Sequence, residues 1–245
     1  MNMNQRNPIK LDIPLEFRVT RPMACPYLAH KMEQRLAADI STMPRHHNTL
    51  AKAGFRRVEN WVYKPICSGC KACLPIRIPS GDGELGQLKV SRNQRRVINK
   101  NKGLKRSILP NISLPEHYDL FARYLASRHH DGQMADMDEQ GYDEMIASSP
   151  IETVLLEYRH LDKVMAVMLL DLQDDGLSAV YSFFDPDEDQ RSLGTFMVLD
   201  AAAIAHDMGL DYVYLGYYIN SSRKMQYKSR FKPAEVLTNG LWQPL

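Results

Sequence analysis

Between residues 153 and 219 the chain settles into a rhythm that few folds accommodate: three strand-like runs, one long helix pattern and one further strand. The runs 153–158, 164–170 and 177–184 are rich in β-branched, aromatic and aliphatic residues. They are separated by the turn signals His160-Leu161-Asp162 and Asp174-Asp175-Gly176. Connections this short join antiparallel neighbours, so the three runs are expected to form a meander. Residues 191–208 then read as an amphipathic helix ending at Gly209, and 211–219 returns to aromatic and β-branched residues. The expected class is α+β, with a mixed, mostly antiparallel sheet.

The preceding half is less regular. Pro8, Pro14 and Pro22 break any pattern over residues 1–24. A short helix over 47–53 is stopped by Gly54, and a strand is expected over 55–63. Pro65, Pro75 and Pro79 bracket a cysteine loop. A basic helix over 91–100 takes Ser91 as its cap. Helices are expected over 115–130, with Pro115 in the first turn, and over 137–147. A hairpin over 233–245 closes the chain. This organisation divides it into a Cys-containing, basic region at 1–110 and a second domain at 111–245.

Three of the four cysteines fall in Cys67-Ser68-Gly69-Cys70-Lys71-Ala72-Cys73, and Cys25 stands far upstream. A C-x-x-C loop turns two thiolates towards one ion, and four thiolates suit structural Zn²⁺ or an iron-sulfur cluster. A redox-sensitive thiol cluster and inert buried thiols are the alternatives. The 44% apolar and 24% charged composition is that of an ordinary globular protein. No run approaches the roughly 18 apolar residues of a membrane span, and the first ten residues are polar. No membrane partner, a cytoplasmic location and reduced thiols are therefore expected.

Net charge is only +2, yet the stretch from 92 to 106 holds Arg92, Arg95, Arg96, Lys100, Lys102, Lys105 and Arg106 with no acidic residue. Such a run is a solvated helix face or a phosphate-binding surface, and neutralising phosphates releases their counterions.

The order meander, helix, strand resembles the acyl-CoA N-acyltransferase core, whose central strands part beside the N-terminus of the following helix. Arg191-Ser192-Leu193-Gly194-Thr195-Phe196 stands at that helix entry, where backbone N–H groups receive phosphate oxygens. Phe196 is expected to crowd a coenzyme A pyrophosphate, which leaves a scaffold with a different acyl donor.

Several blocks carry a more specific resemblance. They include Cys25-Pro26-Tyr27-Leu28, Gly54-Phe55-Arg56-Arg57, the cysteine loop running on to Pro75-x-Arg77, and Ser91-Arg92-x-Gln94-Arg95-Arg96. The second half adds Arg128-His129-x-Asp131-Gly132, 177–183, Asp185-Pro186, Arg191-Ser192-Leu193-Gly194-Thr195, Tyr214-Leu215-Gly216-Tyr217 and Lys224-Met225-x-Tyr227-Lys228. Together they resemble the aminoacyl-tRNA:protein transferases over nearly the whole chain. One departure is Gln133, where many bacterial relatives have a second Gly. The resemblance implies transfer of leucine from leucyl-tRNA to proteins with N-terminal Asp or Glu, creating a degradation signal of the N-degron pathway. It also implies an acyltransferase-like fold and a metal or cluster role for the cysteine region. Arginyl-tRNA as donor, a coenzyme A-dependent N-acetyltransferase and a non-catalytic RNA-binding module are the alternatives.

The chemistry requires no cofactor, because aminoacyl-tRNA is already an activated ester. An acceptor α-amine with a pKa of about 7.7–8.0 is partly neutral at pH 7, so alignment and oxyanion stabilisation dominate. Asp185 is the candidate base, with Tyr181 and Ser182 serving the oxyanion. An acceptor carboxylate calls for a guanidinium, and Arg56, Arg57, Arg77, Arg92 and Arg128 are candidates, Arg77 and Arg92 favoured. Arg191 and Gly194 are assigned to substrate at the helix entry. Arg95, Arg96, Lys100, Lys224, Tyr227 and Lys228 are assigned to tRNA. His129 and His130 suit a helix-end cap better than a base. Tyr214, Tyr217 and Tyr218 are expected to pack.

Overall fold

The computed structural model describes residues 14–81, 88–128 and 134–245. The readings made for Pro8, for the polar first ten residues, and for His129, His130 and Gln133 lie outside the described residues. In chain order the strands are β1 (Arg18–Val19), β2 (Met23–Ala24), β3 (Met32–Glu33), β4 (Arg35–Asp39), β5 (Arg56–Val58), β6 (Trp61–Pro65) and β7 (Leu74–Pro79). They continue as β8 (Lys105–Pro110), β9 (Thr153–His160), β10 (Lys163–Leu172), β11 (Gly176–Phe184), β12 (Tyr212–Tyr218), β13 (Glu235–Thr238) and β14 (Leu241–Pro244). The α-helices are α1 (His47–Lys52), α2 (Arg92–Asn101), α3 (Pro115–Arg128), α4 (Glu139–Ala147) and α5 (Leu193–Asp207).

The expected meander is present as β9, β10 and β11, paired antiparallel. α5 carries the chain over to β12, which pairs parallel with β11. The resulting eight-stranded sheet has the order β14-β13-β7-β12-β11-β10-β9-β8 and is mostly antiparallel, with one parallel contact. It recruits β7 and β8 from before residue 110, so the sheet runs across the boundary expected there. A second sheet, β1-β4-β6-β5, and the β2-β3 hairpin stand beside it.

Two elements differ from the sequence-based expectation. The strand expected over 55–63 is a hairpin of β5 and β6, turned at Glu59 with a φ of 51°. The basic helix expected over 91–100 is present as α2, but the basic run continues beyond it into β8, an edge strand that the sequence reading did not name, where Lys105 and Arg106 stay exposed. Charge on an edge strand discourages pairing with a foreign strand. The Ser91 cap is confirmed with a reciprocal bond, Gln94 N–H to Ser91 Oγ at 3.3 Å and Ser91 N–H to Gln94 Oε1 at 2.8 Å.

Alternation along β10 builds two cores. Ala166, Met168 and Leu170 face α5, packing with Met197, Ala201 and Ala205. Val167 and Leu169 face the opposite side with Leu120 and Phe121 of α3 and Tyr142 of α4. Fully burying a side chain such as Leu120 or Phe121 contributes about 1.5–3 kcal/mol. The small sheet has only Ala38, Ile40 and Val62 at its own centre, so its position depends on polar fastening. Arg57 of β5 forms a buried two-pronged ion pair with Asp171 of β10, at 2.6 and 2.7 Å. Tyr217 Oη donates towards Gly54 O and Tyr63 O, at 2.9 and 3.0 Å.

Candidate active site

β11 and β12 are bonded only at Gly176, Leu177 and Ser178, opposite Tyr212, Val213 and Tyr214. Beyond that point each strand carries an irregularity. On β11 the register with β10 skips Val180, and on β12 the register with β7 shifts between Tyr214 and Tyr217. Bulges bend strands and interrupt their ladders, so the two strands part. The opening is a cavity of about 170 Å³ between them.

Parting leaves main-chain carbonyls that need donors. Two cations supply them. Arg56 Nη2 donates to Val180 O at 2.7 Å and to Ala179 O at 3.4 Å. Lys228 Nζ donates to Leu215 O and Tyr217 O, both at 2.7 Å. Gly216 makes the first arrangement possible: its φ is +75°, and a Cβ there would land on the Arg56 guanidinium. Lys228 is buried, and that burial pushes its ammonium down to about 7, with the Arg56 charge acting in the same direction.

The rest of the wall is apolar and aromatic. Met168, Val198 and Leu215 come from β10, α5 and β12, Tyr124 from α3, and Tyr227 from the 3₁₀ turn Gln226–Arg230 that carries Lys228. Tyr181 and Ser182 of β11 also line it, as the sequence reading required of oxyanion donors. Burial holds the Tyr181 hydroxyl protonated, so it remains a donor. No carboxylate is among the residues that line the cavity, and none pairs with Arg56 among the described residues.

Several predicted site residues lie elsewhere. Asp185 is fully buried as the cap of a 3₁₀ turn, with Lys163 Nζ at 2.6 Å and Arg123 Nη1 at 3.2 Å. Burial alone would raise its carboxyl, but the bonds from Lys163, the Asp187 N–H and Arg123 outweigh this and hold it below the ordinary value. A carboxylate so committed accepts a proton poorly, and Asp185 does not line the cavity. Arg77 is stacked 3.5 Å from the Tyr212 ring and 4.4 Å from that of Trp242, and its Nε donates to Glu235 at 2.7 Å. Arg128 is paired with Asp189, and Arg57 with Asp171. Arg92 is exposed on α2 and is not part of the cavity wall. Of the five guanidinium candidates the structure brings only Arg56 to the gap.

The helix entry also differs from expectation. Phe196 is buried edge-on against Tyr158, with ring centroids 5.4 Å apart, and so does not project into the place where it was expected to crowd a pyrophosphate. Gly194 lies against the Phe184 ring. Arg191 bonds Glu188, and Lys100 Nζ donates to Gln190 O at 2.7 Å. Arg95 and Arg96 are exposed on α2, and Lys224 is exposed near Tyr227 and Lys228 in sequence. Gln94 Nε2 donates to Arg230 O at 3.1 Å, which fastens the basic helix to the turn bearing Lys228. Cys67, Cys70 and Cys73 lie between β6 and β7, and all four cysteines are half-buried and reduced. The Cys73 thiol is pushed up to about 12, by burial first and then by Cys67, Cys25 and Cys70, yet among the described residues no three of the four sulfurs are close enough together to share one ion. Sequence reasoning ranked Arg56 below Arg77 and missed Tyr124. Beyond its place in Gly54-Phe55-Arg56-Arg57, a further signal for Arg56 was Gly216 inside a strand pattern, which marks a bulge or a close approach.

Residues 116–238 match the family described as arginine-tRNA-protein transferase, C terminus, and residues 23–96 match its N-terminus counterpart. The aspartate/glutamate leucyltransferase of Gluconacetobacter diazotrophicus is 44% identical over 95% of this chain and 88% of that protein. The protein of the same name in Ruegeria pomeroyi is 46% identical, covering 96% of this chain and 86% of that one. Among solved structures, the C-terminal domain (DUF2156) assigned to a lysylphosphatidylglycerol synthetase of Agrobacterium fabrum has a TM-score of 0.50 at 15% identity. That likeness, over 82% of this chain and 63% of the other, is one of fold.

Proposed function

This chain belongs to the aminoacyl-tRNA:protein transferase family, and on that premise we propose that it moves leucine from leucyl-tRNA to the α-amino group of proteins beginning with Asp or Glu. The observation that carries the reading is the gap itself, which among the described residues is lined by aliphatic and aromatic side chains, Ser182 and the two basic residues Arg56 and Lys228, with no carboxylate. An arginyl group would bring a further positive charge beside Arg56 without a carboxylate partner among the described residues, whereas a leucyl side chain finds Met168, Val198 and Leu215. The acceptor carboxylate has Arg56, whose bonded partners among the described residues are main-chain carbonyls.

In the reaction the acceptor amine attacks the aminoacyl ester, and the Tyr181 and Ser182 hydroxyls donate to the oxyanion that develops. The exposed Arg95 and Arg96 of α2, with Lys224 and Tyr227, hold the tRNA acceptor end. The parted β11 and β12, bridged by α5, support an acyl-CoA N-acyltransferase-like core beneath this chemistry. The product, headed by Leu, is an N-degron. The four thiols have the donor chemistry for a structural Zn²⁺ or iron-sulfur cluster, but among the described residues no three of their sulfurs stand close enough together to share one ion, so binding would have to draw them together. Such a group would organise the segment between β6 and β7. Metal analysis after anaerobic purification tests it, and metal-free protein of full stability and activity would overturn it.

The direct test supplies leucyl-tRNA or arginyl-tRNA with peptides beginning Asp, Glu, Arg or Lys, and identifies products by mass. Leucine on Asp and Glu peptides alone is the expected outcome. Transfer of arginine alone would move the donor assignment, and no transfer would reject the reading.

A further inference from the structure

Lys228 is held in an unusual way for a residue whose only task is to attract phosphate. It is buried at the wall of the gap, and its Nζ is bonded to two carbonyls of one strand, Leu215 O and Tyr217 O, each at 2.7 Å. A neutral amine has two N–H donors, one lone pair and one carbon. When both donors are given to carbonyls, the lone pair occupies the remaining tetrahedral direction. Lys228 reaches the cavity alongside Tyr181 and Ser182, the groups assigned to the oxyanion. An exposed phosphate-binding lysine has none of these constraints.

Resting on the transfer reaction proposed above, we infer that Lys228 is the proton shuttle of the site, entering each cycle as a neutral amine held by the two carbonyls. As the acceptor nitrogen forms its bond to the ester carbon, one of its protons passes to Lys228 Nζ. As the bond from that carbon to the ribose oxygen breaks, the same proton passes from Nζ to the departing oxygen. The lysine is returned to its neutral form, the products are an amide and a ribose hydroxyl, and no further reactant is needed. The surroundings support the neutral form. Among the described residues, the titratable and charged groups that line the cavity with Lys228 are Arg56 from β5, Tyr124 from α3, Tyr181 from β11 and the adjacent Tyr227. Burial raises the pKa of all three tyrosines, which keeps them uncharged at neutral pH, and Arg56 opposes a second positive charge. Asp185, committed to Lys163 and Arg123, offers no competing base in the gap.

The test begins with wild-type protein under single turnover, at saturating leucyl-tRNA and acceptor. The rate should rise with pH through an apparent pKa near 7, and the limb should stay there when the acceptor amine is made less basic by a 3-fluoro-aspartyl N-terminus. A limb that moves with the acceptor would overturn the shuttle. Lys228→Arg keeps a cation for the carbonyls but removes the base. It should bind leucyl-tRNA within about threefold of wild type yet lose about 10²–10⁴-fold in single-turnover rate. Lys228→Ala should regain rate with added primary amines, in proportion to their basicity. Full activity of Lys228→Arg would reduce Lys228 to a charge clamp and overturn the inference. Failure of wild type to transfer leucine at all would instead reject the proposed function.

Discussion

The two ends of the β11–β12 pair use the same residue types to opposite effect. At the closed end, where Ser178 faces Asp171 across the meander and Tyr214 faces Arg77, cations meet carboxylates: Arg57 with Asp171, Arg77 with Glu235, Lys52 with Asp174. At the open end, Arg56 and Lys228 meet main-chain carbonyls and no carboxylate among the described residues. A carbonyl satisfies a donor but does not cancel a charge, so the closed end is electrostatically finished and the open end is left able to receive an anion or a proton. Arg56 and Arg57, adjacent in sequence, show the division most directly. Their side chains leave β5 on opposite faces, and the buried pair of one positions the other.

The largest test of this contrast is to unfinish the closed end. Asp171→Asn strands the buried Arg57 charge and should lower stability by about 3–5 kcal/mol in denaturant titration, with transfer lost through displacement of β5. At the open end, Arg56→Met should leave the fold in place but cost about 2–5 kcal/mol in kcat/KM for Asp-peptides, and a smaller loss would remove its role with the acceptor carboxylate. Arg77→Met probes the closed end again. It should cost about 2 kcal/mol of stability through lost stacking on Tyr212 and Trp242 while acceptor preference is unchanged. Gly216→Ala should cost about 1–2 kcal/mol from its left-handed backbone and raise KM for acceptor as Arg56 is displaced.

The smallest effect concerns pH. His47, 3.9 Å from Asp171, is held below the ordinary histidine value by burial, which outweighs the attraction of Asp171 and is reinforced by Arg57. The unfolded chain therefore takes up the proton more readily, so stability should be full above about pH 6.5 and decline as pH falls below it. His47→Gln should flatten that decline in thermal unfolding followed across pH 5–8.

Much of the fold was legible because local patterns carry it. The meander, α5 and the Ser91–Gln94 cap follow from periodicity and short-range hydrogen bonding. β8 was hidden because its charges resembled a continuation of the basic helix, and the β5–β6 hairpin because Glu59-Asn60 lacks a glycine to mark the turn. Within the site, Tyr181, Ser182, Arg56, Tyr227 and Lys228, named as candidates for three different roles, all line one cavity. Their ranking was not legible: Arg77 stood in a stronger motif than Arg56, yet its charge is taken by Glu235.

By itself the sequence determined the meander, α5 and the strand after it, the Ser91–Gln94 cap and the transferase family, since each rests on local spacing or on motifs read along the chain. Only the tertiary structure decided which cations remain uncancelled, because that depends on partners brought from distant segments. Asp171 reaches Arg57, Glu235 reaches Arg77, while Arg56 is held by carbonyls of β11 and Lys228 by carbonyls of β12, beside a gap that two bulges open.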